Sequence, residues 1–472
     1  MSNEHPVYMG PRLRPLRRDL GLTQANMATD LDISASYVAL LERNQRPLTA
    51  DMLLRLARTY RLDLATLATD GHDDAIARLQ TVLKDPIFAD IDVPALETTD
   101  VVTGFPGITE AFLRLHTAWR EENLALADSK VEFWGAGTPG HDNLDPVAEA
   151  RRFLAARRNN FPGLDDAAEG LATAIAEAGG LVAYLAARHT LKVRRLPADV
   201  MGGATRRFDR HRDAVLLDDS LDNASQSFQL ALQLAWLELR SEIDAPLATA
   251  SFHSEGGQRL AQKALASYAA AAVLMPYAAF ARAAQRRHYD IEALGRQFGT
   301  SFEQTAHRLT TLQKPGDEAV PFFFIRVDPA GNVSKRLDGA GFPFARHGGA
   351  CPLWAVHQAF RRPREIITQW IELPDGQRFF SIARSVTAGG GAHGTARVER
   401  AIALGCSAEH AGNLIYTMEP GSPGPDTATP IGVTCHLCHR SRCTARSAPP
   451  IGRTVLPDDF RRASAPFGFS EI

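Results

Sequence analysis

Cysteine is scarce and unevenly placed. Of five in 472 residues, none precedes Cys351 and four fall between Cys406 and Cys443. That is too few for a disulfide scaffold, and such clustering suits a metal or cluster site better. Long apolar runs are missing as well: no stretch approaches the ~18–20 residues that span a bilayer. The opening MSNEHPVYMGPRLRPLRRDL has none of the apolar core of a signal peptide. These absences predict a cytoplasmic protein, neither exported nor inserted in a membrane. Net charge is nearly absent too. The 52 Lys+Arg stand against 54 Asp+Glu, a formal −2, so the whole chain carries no signature of a nucleic-acid binder. What remains, 45% hydrophobic and 22% charged residues, is ordinary globular composition with room for two to four folded units.

Locally the balance changes. Residues 8–61 hold nine arginines against five acids, a net +4. The pattern there predicts a bundle of four to five short helices. Arg12 to Leu20 is closed by Gly21, Thr23 caps TQANMATDL, Ser34 caps SASYVALLERN, and Leu48 to Tyr60 follows. The short step between the second and third helices is a helix-turn-helix outline. TQANMATDLDISASYVALLERNQRPLT resembles the DNA-binding domain of the phage-repressor class, in which the second helix of the pair reads the major groove. On that likeness Gln24, Ser34, Ser36 and Tyr37 face DNA, and Val38 and Leu41 face the bundle. Arg43, Asn44 and Arg46 meet phosphates, which position a protein without reading sequence.

Residues 71–135 read as a linker with dimerisation helices: a short helix at Ala75–Leu83, then Phe112, Leu115 and Trp119 on one helical face. Residues 136–318 read as Ala-rich helices. Among them SFQLALQLAWLELR resembles the helix that carries His-Glu-x-x-His in a zinc-metallopeptidase-like family often fused to such repressors. The chemistry needs two imidazoles one turn apart and a glutamate. Leu232, Gln233 and Trp236 stand there instead, and Ala272 occupies the downstream acidic position. No zinc and no hydrolysis are expected, so the chain is not an enzyme. Near Val320 the pattern becomes strand-like: PFFFIRVDPAGNVSKR reads as a hairpin, and REIITQWIEL and QRFFSIARSV as strands. The fold expected is mainly α, with a helix-turn-helix bundle at residues 8–70 and a separate α+β domain over 319–472.

That last domain holds Cys406, the Cys435-His436-Leu437-Cys438 knuckle and Cys443. Four thiolates suit tetrahedral zinc or an iron–sulfur cluster. Arg440, Arg442 and Arg446 are placed to offset their charge. Cys351 has no near partner in sequence. For an anionic ligand the basic and aromatic candidates are Arg308, Arg326, Lys335, Arg336, Phe344 and Trp354.

Head, ligandless peptidase-like middle, and a tail with CPLW, IALGCSAEHA, CHLCHRSRCTARSAPP and PPIGR together resemble the short-chain fatty acyl transcriptional regulators of bacteria, from about residue 8 to 465. The resemblance implies control of propionyl-CoA, methylcitrate-type or related short-chain fatty acid genes, with propionyl-CoA or acetyl-CoA as effector. It implies a [4Fe–4S] cluster on Cys406, Cys435, Cys438 and Cys443, with zinc as the alternative. The partners expected are double-stranded DNA with a palindromic operator and a second copy of the chain. A redox- or iron-sensing repressor with a vestigial ligand pocket is the rival reading.

Overall fold

Thr23 opens the helix Gln24–Asp30 by accepting a hydrogen bond from the Asn26 N–H at 3.1 Å, and Ser34 opens Ala35–Glu42 by accepting from the Tyr37 N–H at 3.1 Å. Both are N-cap hydroxyls satisfying first-turn donors that the helix leaves unpaired. The helix Ala50–Tyr60 completes the group. Met27, Leu31, Val38 and Leu41 are fully buried and share a small core with Leu13, Met52 and Leu56. Each such side chain contributes ~1.5–3 kcal/mol, so packing fixes both flanks of the 31–34 turn.

The computed structural model describes residues 13, 17, 22–42, 46, 49–60, 73–84, 88, 91, 93–113, 115–116, 119, 146–337, 339–344, 350–388, 397–418, 423–450, 455–456, 465 and 468–469. The chain divides into two units, Met1–Arg120 and Glu121–Ile472. Beyond the head, the first unit holds Asp73–Leu83 and Ala95–Gly104, then further helical residues over 106–113. Leu79, Val102 and Leu113 are their buried contacts. The segment expected to be a linker is thus more helical than its composition suggested. Pro94 and Pro106 lie at helix starts, where a missing N–H costs nothing, and do not break helices.

The second unit begins with the helices Pro146–Ala155, Pro162–Glu177, Leu181–His189, Asn223–Glu238, Arg240–Ala248 and Glu255–Leu274. They pack with a small sheet of β1 (Lys192–Leu196), β2 (Arg206–Asp209) and β3 (Ala214–Asp218), in the order β1-β3-β2. Glu255–Leu274 and Tyr277–Arg286 bend by 66° at Met275-Pro276, where one long helix was expected. Among the described residues no single helix is long and apolar enough to cross a membrane.

A two-stranded hairpin, β4 (Gln313–Lys314) and β5 (Asp317–Glu318), leads into the main sheet. Its strands are β6 (Phe323–Val327), β7 (Val333–Leu337), β8 (Ile367–Glu372), β9 (Arg378–Ala388), β10 (Val398–Ser407) and β11 (Thr429–Pro430). The order is β11-β8-β9-β10-β6-β7, antiparallel except where β11 runs parallel to β8. The expected hairpin and both expected strands are β6–β7, β8 and β9.

Strand alternation gives this sheet two apolar faces. Phe324, Phe380, Ile382, Ile402, Leu404 and Cys406 pack with the helices Tyr277–Arg286, Ile291–Phe298 and Phe302–Leu309. Phe323, Ile325, Phe379, Ala383, Ala401 and Ala403 face the other way, against Trp354, Val356 and Ala359. A sheet apolar on both faces needs cover on both. The core therefore runs through residue 318 without a break, and the middle and tail, expected as separate domains, share it. Gly405 permits the tightest of these contacts: a Cβ there would lie 2.3 Å from the Phe323 ring.

Candidate functional site

In the head, Arg17, Gln24 and Glu42 come together. Arg17 donates to the Glu42 carboxylate at 2.5 and 3.3 Å, and Gln24 Nε2 donates to Glu42 Oε2 at 2.7 Å. Arg17 also donates to the Leu22 carbonyl at 2.8 Å. Glu42, the last residue of the recognition helix, is thereby tied to the start of the helix before it. Gln24, expected at DNA, spends its amide nitrogen on this lock. Ser34 and Ser36 are exposed with their hydroxyls 3.0 Å apart, and Tyr37 lies half-buried against the head core. Arg46 is exposed just beyond the helix, and Arg43 and Asn44 lie outside the described residues. Replacing Glu42 by Ala leaves a half-buried guanidinium without its partner. It is expected to cost the head about 1–3 kcal/mol. Chemical unfolding followed on a tryptophan-free probe in the head checks this, and an unchanged midpoint removes the lock from the account.

The tail's thiols are arranged differently from the sequence expectation. Thr434 caps a short turn, Cys435–Leu437, by accepting from the Leu437 N–H at 3.3 Å. Arg446, 3% exposed, donates to the carbonyls of Cys435, Cys438, Arg440 and Ala448 at 2.7–3.1 Å. It is the clamp of the knuckle loop, beyond any part in offsetting thiolate charge. Arg440 pins the same loop to the β8 end through the Glu372 and Leu373 carbonyls at 3.0 and 2.9 Å.

Cys351, which sequence left without a partner, belongs to this group. Burial raises its pKa, the Gly432 N–H bonds it, and the nearby sulfurs of Cys435 and Cys443 raise it further. Gly432 also lies against Cys438: a Cβ on the glycine would be 2.8 Å from Cys438 Cβ and 2.9 Å from its Sγ. Cys351, Cys435, Cys438 and Cys443 thus gather around Gly432. Burial would raise Cys435 as well, but hydrogen bonds from the Ser447 N–H and Oγ, at 3.4 and 3.3 Å, bring it below the ordinary thiol value.

Cys406 is not among them. It is fully buried in β10 on the face shared with Ile402 and Leu404, whereas Cys351 packs on the opposite face with Trp354. Period-two alternation dictates this side, and burial pushes the Cys406 thiol far up. The structure corrects the expected ligand set by exchanging Cys406 for Cys351. The donor chemistry, four thiols about one glycine on a clamped loop, fits a thiophilic metal or cluster. Among the described residues no three Cys, His, Asp or Glu side chains already stand at metal-holding distances.

Beside Cys351 is a pocket of about 320 Å³, lined by Ile325, Val333, Phe342, Phe344, Trp354 and Gly432 among others. Trp354 is fixed in its wall by donating from Nε1 to Ser381 Oγ at 2.9 Å. Phe344 and Trp354, expected at a ligand, do line one cavity. The basic candidates divide between the faces of the sheet. Arg336 pairs in register with Ile325 on the pocket side, and Arg326 pairs with Lys335 on the other.

Arg308 has a different role from the one expected. It is fully buried, donating to Asp165 at 2.7 Å, the Met275 carbonyl at 3.1 Å and Thr311 at 3.0 Å. Tyr268 donates to the same Asp165 at 2.5 Å. Every strong donor on Arg308 is used inside the fold. The basic pair His307-Arg308 looked in sequence like a solvated or ligand-facing pair because nothing local marks an ion pair 143 residues long in sequence.

In the peptidase-like region, Gln233 and Ala272 are buried, and Leu232 and Trp236 pack against the same apolar cluster. Hydrophobic packing fills the positions where ligands would stand.

Comparison with known proteins follows the same division. Residues 9–69 match a helix-turn-helix domain model, residues 186–310 the IrrE N-terminal-like domain, and residues 311–467 the model described as short-chain fatty acyl coenzyme A regulator, C-terminal. A propionyl-CoA carboxylase regulator of Cereibacter sphaeroides is 37% identical over 470 residues, covering 98% of both chains. The transcriptional regulator RamB of Mycobacterium tuberculosis is 35% identical over 467 residues, again 98% of both. PrpR of the same organism is 34% identical over 475 residues, 98% of this chain and 96% of that one. A solved M. tuberculosis transcriptional regulator superposes with a TM-score of 0.63 at 36% identity, covering 68% of this chain and 99% of its own.

Proposed function

The chain belongs to the short-chain fatty acyl coenzyme A regulators, helix-turn-helix transcription factors and not enzymes, and from that premise we propose that it adjusts its grip on DNA in response to a short-chain acyl-CoA. The effector class is propionyl-CoA or acetyl-CoA, and the genes controlled are those of propionyl-CoA or related short-chain fatty acid metabolism. The observation that carries this reading is full-length likeness to regulators named for propionyl-CoA carboxylase and for transcription control. The aromatic pocket beside Cys351 is of a size and apolarity suited to a short acyl chain.

Recognition falls to Ser34, Ser36 and Tyr37 at the start of the second helix, with Arg43, Asn44 and Arg46 on phosphates and Gln24 and Arg17 holding Glu42. One such helix reads few base pairs, so the reading includes a homodimer on a palindromic operator. Support comes from 91–115, where Ile91, Leu96, Phe105, Ile108 and Leu115 are each more than half exposed on otherwise well-packed helices. Arg46→Ala is expected to weaken binding to all duplexes alike and to lower the salt slope by about one phosphate's share. Affinity measured across a salt series checks it; an unchanged slope removes Arg46 from the contacts.

A [4Fe–4S] cluster is the cofactor in this reading, with zinc the alternative, held by Cys351, Cys435, Cys438 and Cys443. When bound it supplies a cross-link between the CPLW segment and the C-terminal knuckle, and a redox-active centre. The chain's own part is to hold the knuckle through Arg446 and Thr434 and to lower the Cys435 pKa through Ser447. The experiment that tests the function as a whole is DNA affinity with and without acyl-CoA.

A further inference from the structure

Lysine is rare in this chain: of 52 basic residues only Lys84, Lys130, Lys192, Lys263, Lys314 and Lys335 are lysines. Lys84, Lys192 and Lys263 are exposed, and Lys314 is ion-paired with Asp166 at 3.2 Å. Lys335 is different. It lies half-buried on β7, directly across from Arg326 of β6, on the sheet face that His307 and Phe324 share. The carboxylate within its reach, Glu303, is already bound to Arg326 at 2.7 Å, and Arg326 also holds Ser334 at 2.9 Å. Arg308, nearby, is matched by Asp165. Lys335 is left as an ammonium without a counter-ion in a cationic neighbourhood.

Resting on the reading that the chain takes a short-chain acyl-CoA, we propose that Lys335 is a covalent acceptor of the acyl group, modified by the thioester that the protein senses. The step is an aminolysis with no oxidant or reductant. The free amine Nζ attacks the thioester carbonyl, the N–C bond forms and the C–S bond breaks. The electron pair leaves with the CoA sulfur, and the amine's proton passes through a neighbouring base to that thiolate. His307 is the base at hand, because burial and the cations Lys335, Arg308 and Arg326 hold its imidazole neutral. Burial, with Arg326 adding to it against the pull of Glu303, brings Lys335 down to about 8. At pH 7.5 roughly a quarter of such an amine is unprotonated, against about one part in a thousand for an ordinary lysine. Amide formation removes a charge that has no partner, so the product suits its surroundings better than the reactant.

The test is incubation of the full chain with propionyl-CoA over a pH series, with acylation at each lysine followed by peptide mass spectrometry. Lys335 is expected to react at least about tenfold faster than Lys192 or Lys263. Its rate should level off above pH ~8, where the others still climb about tenfold per unit. Lys335→Arg should abolish the fast reaction and leave the rest. Equal rates at all lysines, or a Lys335 rate that climbs with pH as theirs does, overturns the proposal. Equilibrium binding of a thioether analogue, which cannot transfer its acyl group, is measured in parallel. Binding of the analogue with no fast acylation defeats the lysine alone; no binding of the analogue defeats the effector reading beneath it.

Discussion

A Cys351→Ser chain purified without oxygen is expected to lose most of its bound metal, while Cys406→Ser keeps full occupancy. The two thiols are the discriminating pair, because sequence spacing favoured Cys406 and the fold favours Cys351. Cys406 stands in β10 among Ile402, Leu404 and Phe380, with no path for its sulfur to the opposite face of the sheet. Cys351 meets the Gly432 N–H and feels the sulfurs of Cys435 and Cys443. Losing one of four thiolates removes a ligand that no water replaces with equal affinity, and the site's metal is also its cross-link. Iron, zinc and sulfide analysis on both variants decides the matter. Retention in Cys351→Ser with loss in Cys406→Ser would restore the sequence-based ligand set.

The second large effect is at Arg308. Its replacement by Ala strands Asp165, 1% exposed, without a counter-ion, and frees the Tyr268 hydroxyl and the Met275 carbonyl from their strongest partner. The expected cost is about 3–5 kcal/mol, enough to leave the second unit largely unfolded or insoluble. Arg308→Met combined with Asp165→Asn should recover a good part of that loss, because neither half of the pair is then a buried unpaired charge. Unfolding midpoints for the two single variants and the double one measure the coupling. A stable Arg308→Ala chain that simply binds acyl-CoA less well would make Arg308 the ligand contact that its sequence context suggested.

How much the sequence revealed depended on distance along the chain. The head was legible because its signals are local: Thr23 and Ser34 are caps within three residues of the donors they satisfy, and Val38 and Leu41 are spaced for one buried face. The β6–β7 hairpin was legible for the same reason, with Asp328 turning the chain by accepting from the Asn332 N–H at 2.8 Å. Long-range placements were not. Cys351 and the knuckle are more than eighty residues apart, and nothing in ACPLW marks a companion. The basic residues at 326, 335 and 336 are neighbours in the hairpin. Alternation nevertheless sends Arg336 to one face and Lys335 to the other, so no single site could hold all the candidates. The helix at Ala95–Gly104 was hidden by prolines that cap it.

The most direct measurement is the affinity of the anaerobically purified full chain for a duplex selected from a random-sequence library, with and without saturating propionyl-CoA. A ligand that regulates must bind two states of the protein differently, and coupling of this kind is usually 5–150-fold. The account predicts a change of at least about tenfold with propionyl-CoA and none with free CoA. The same affinity under all three conditions would contradict it.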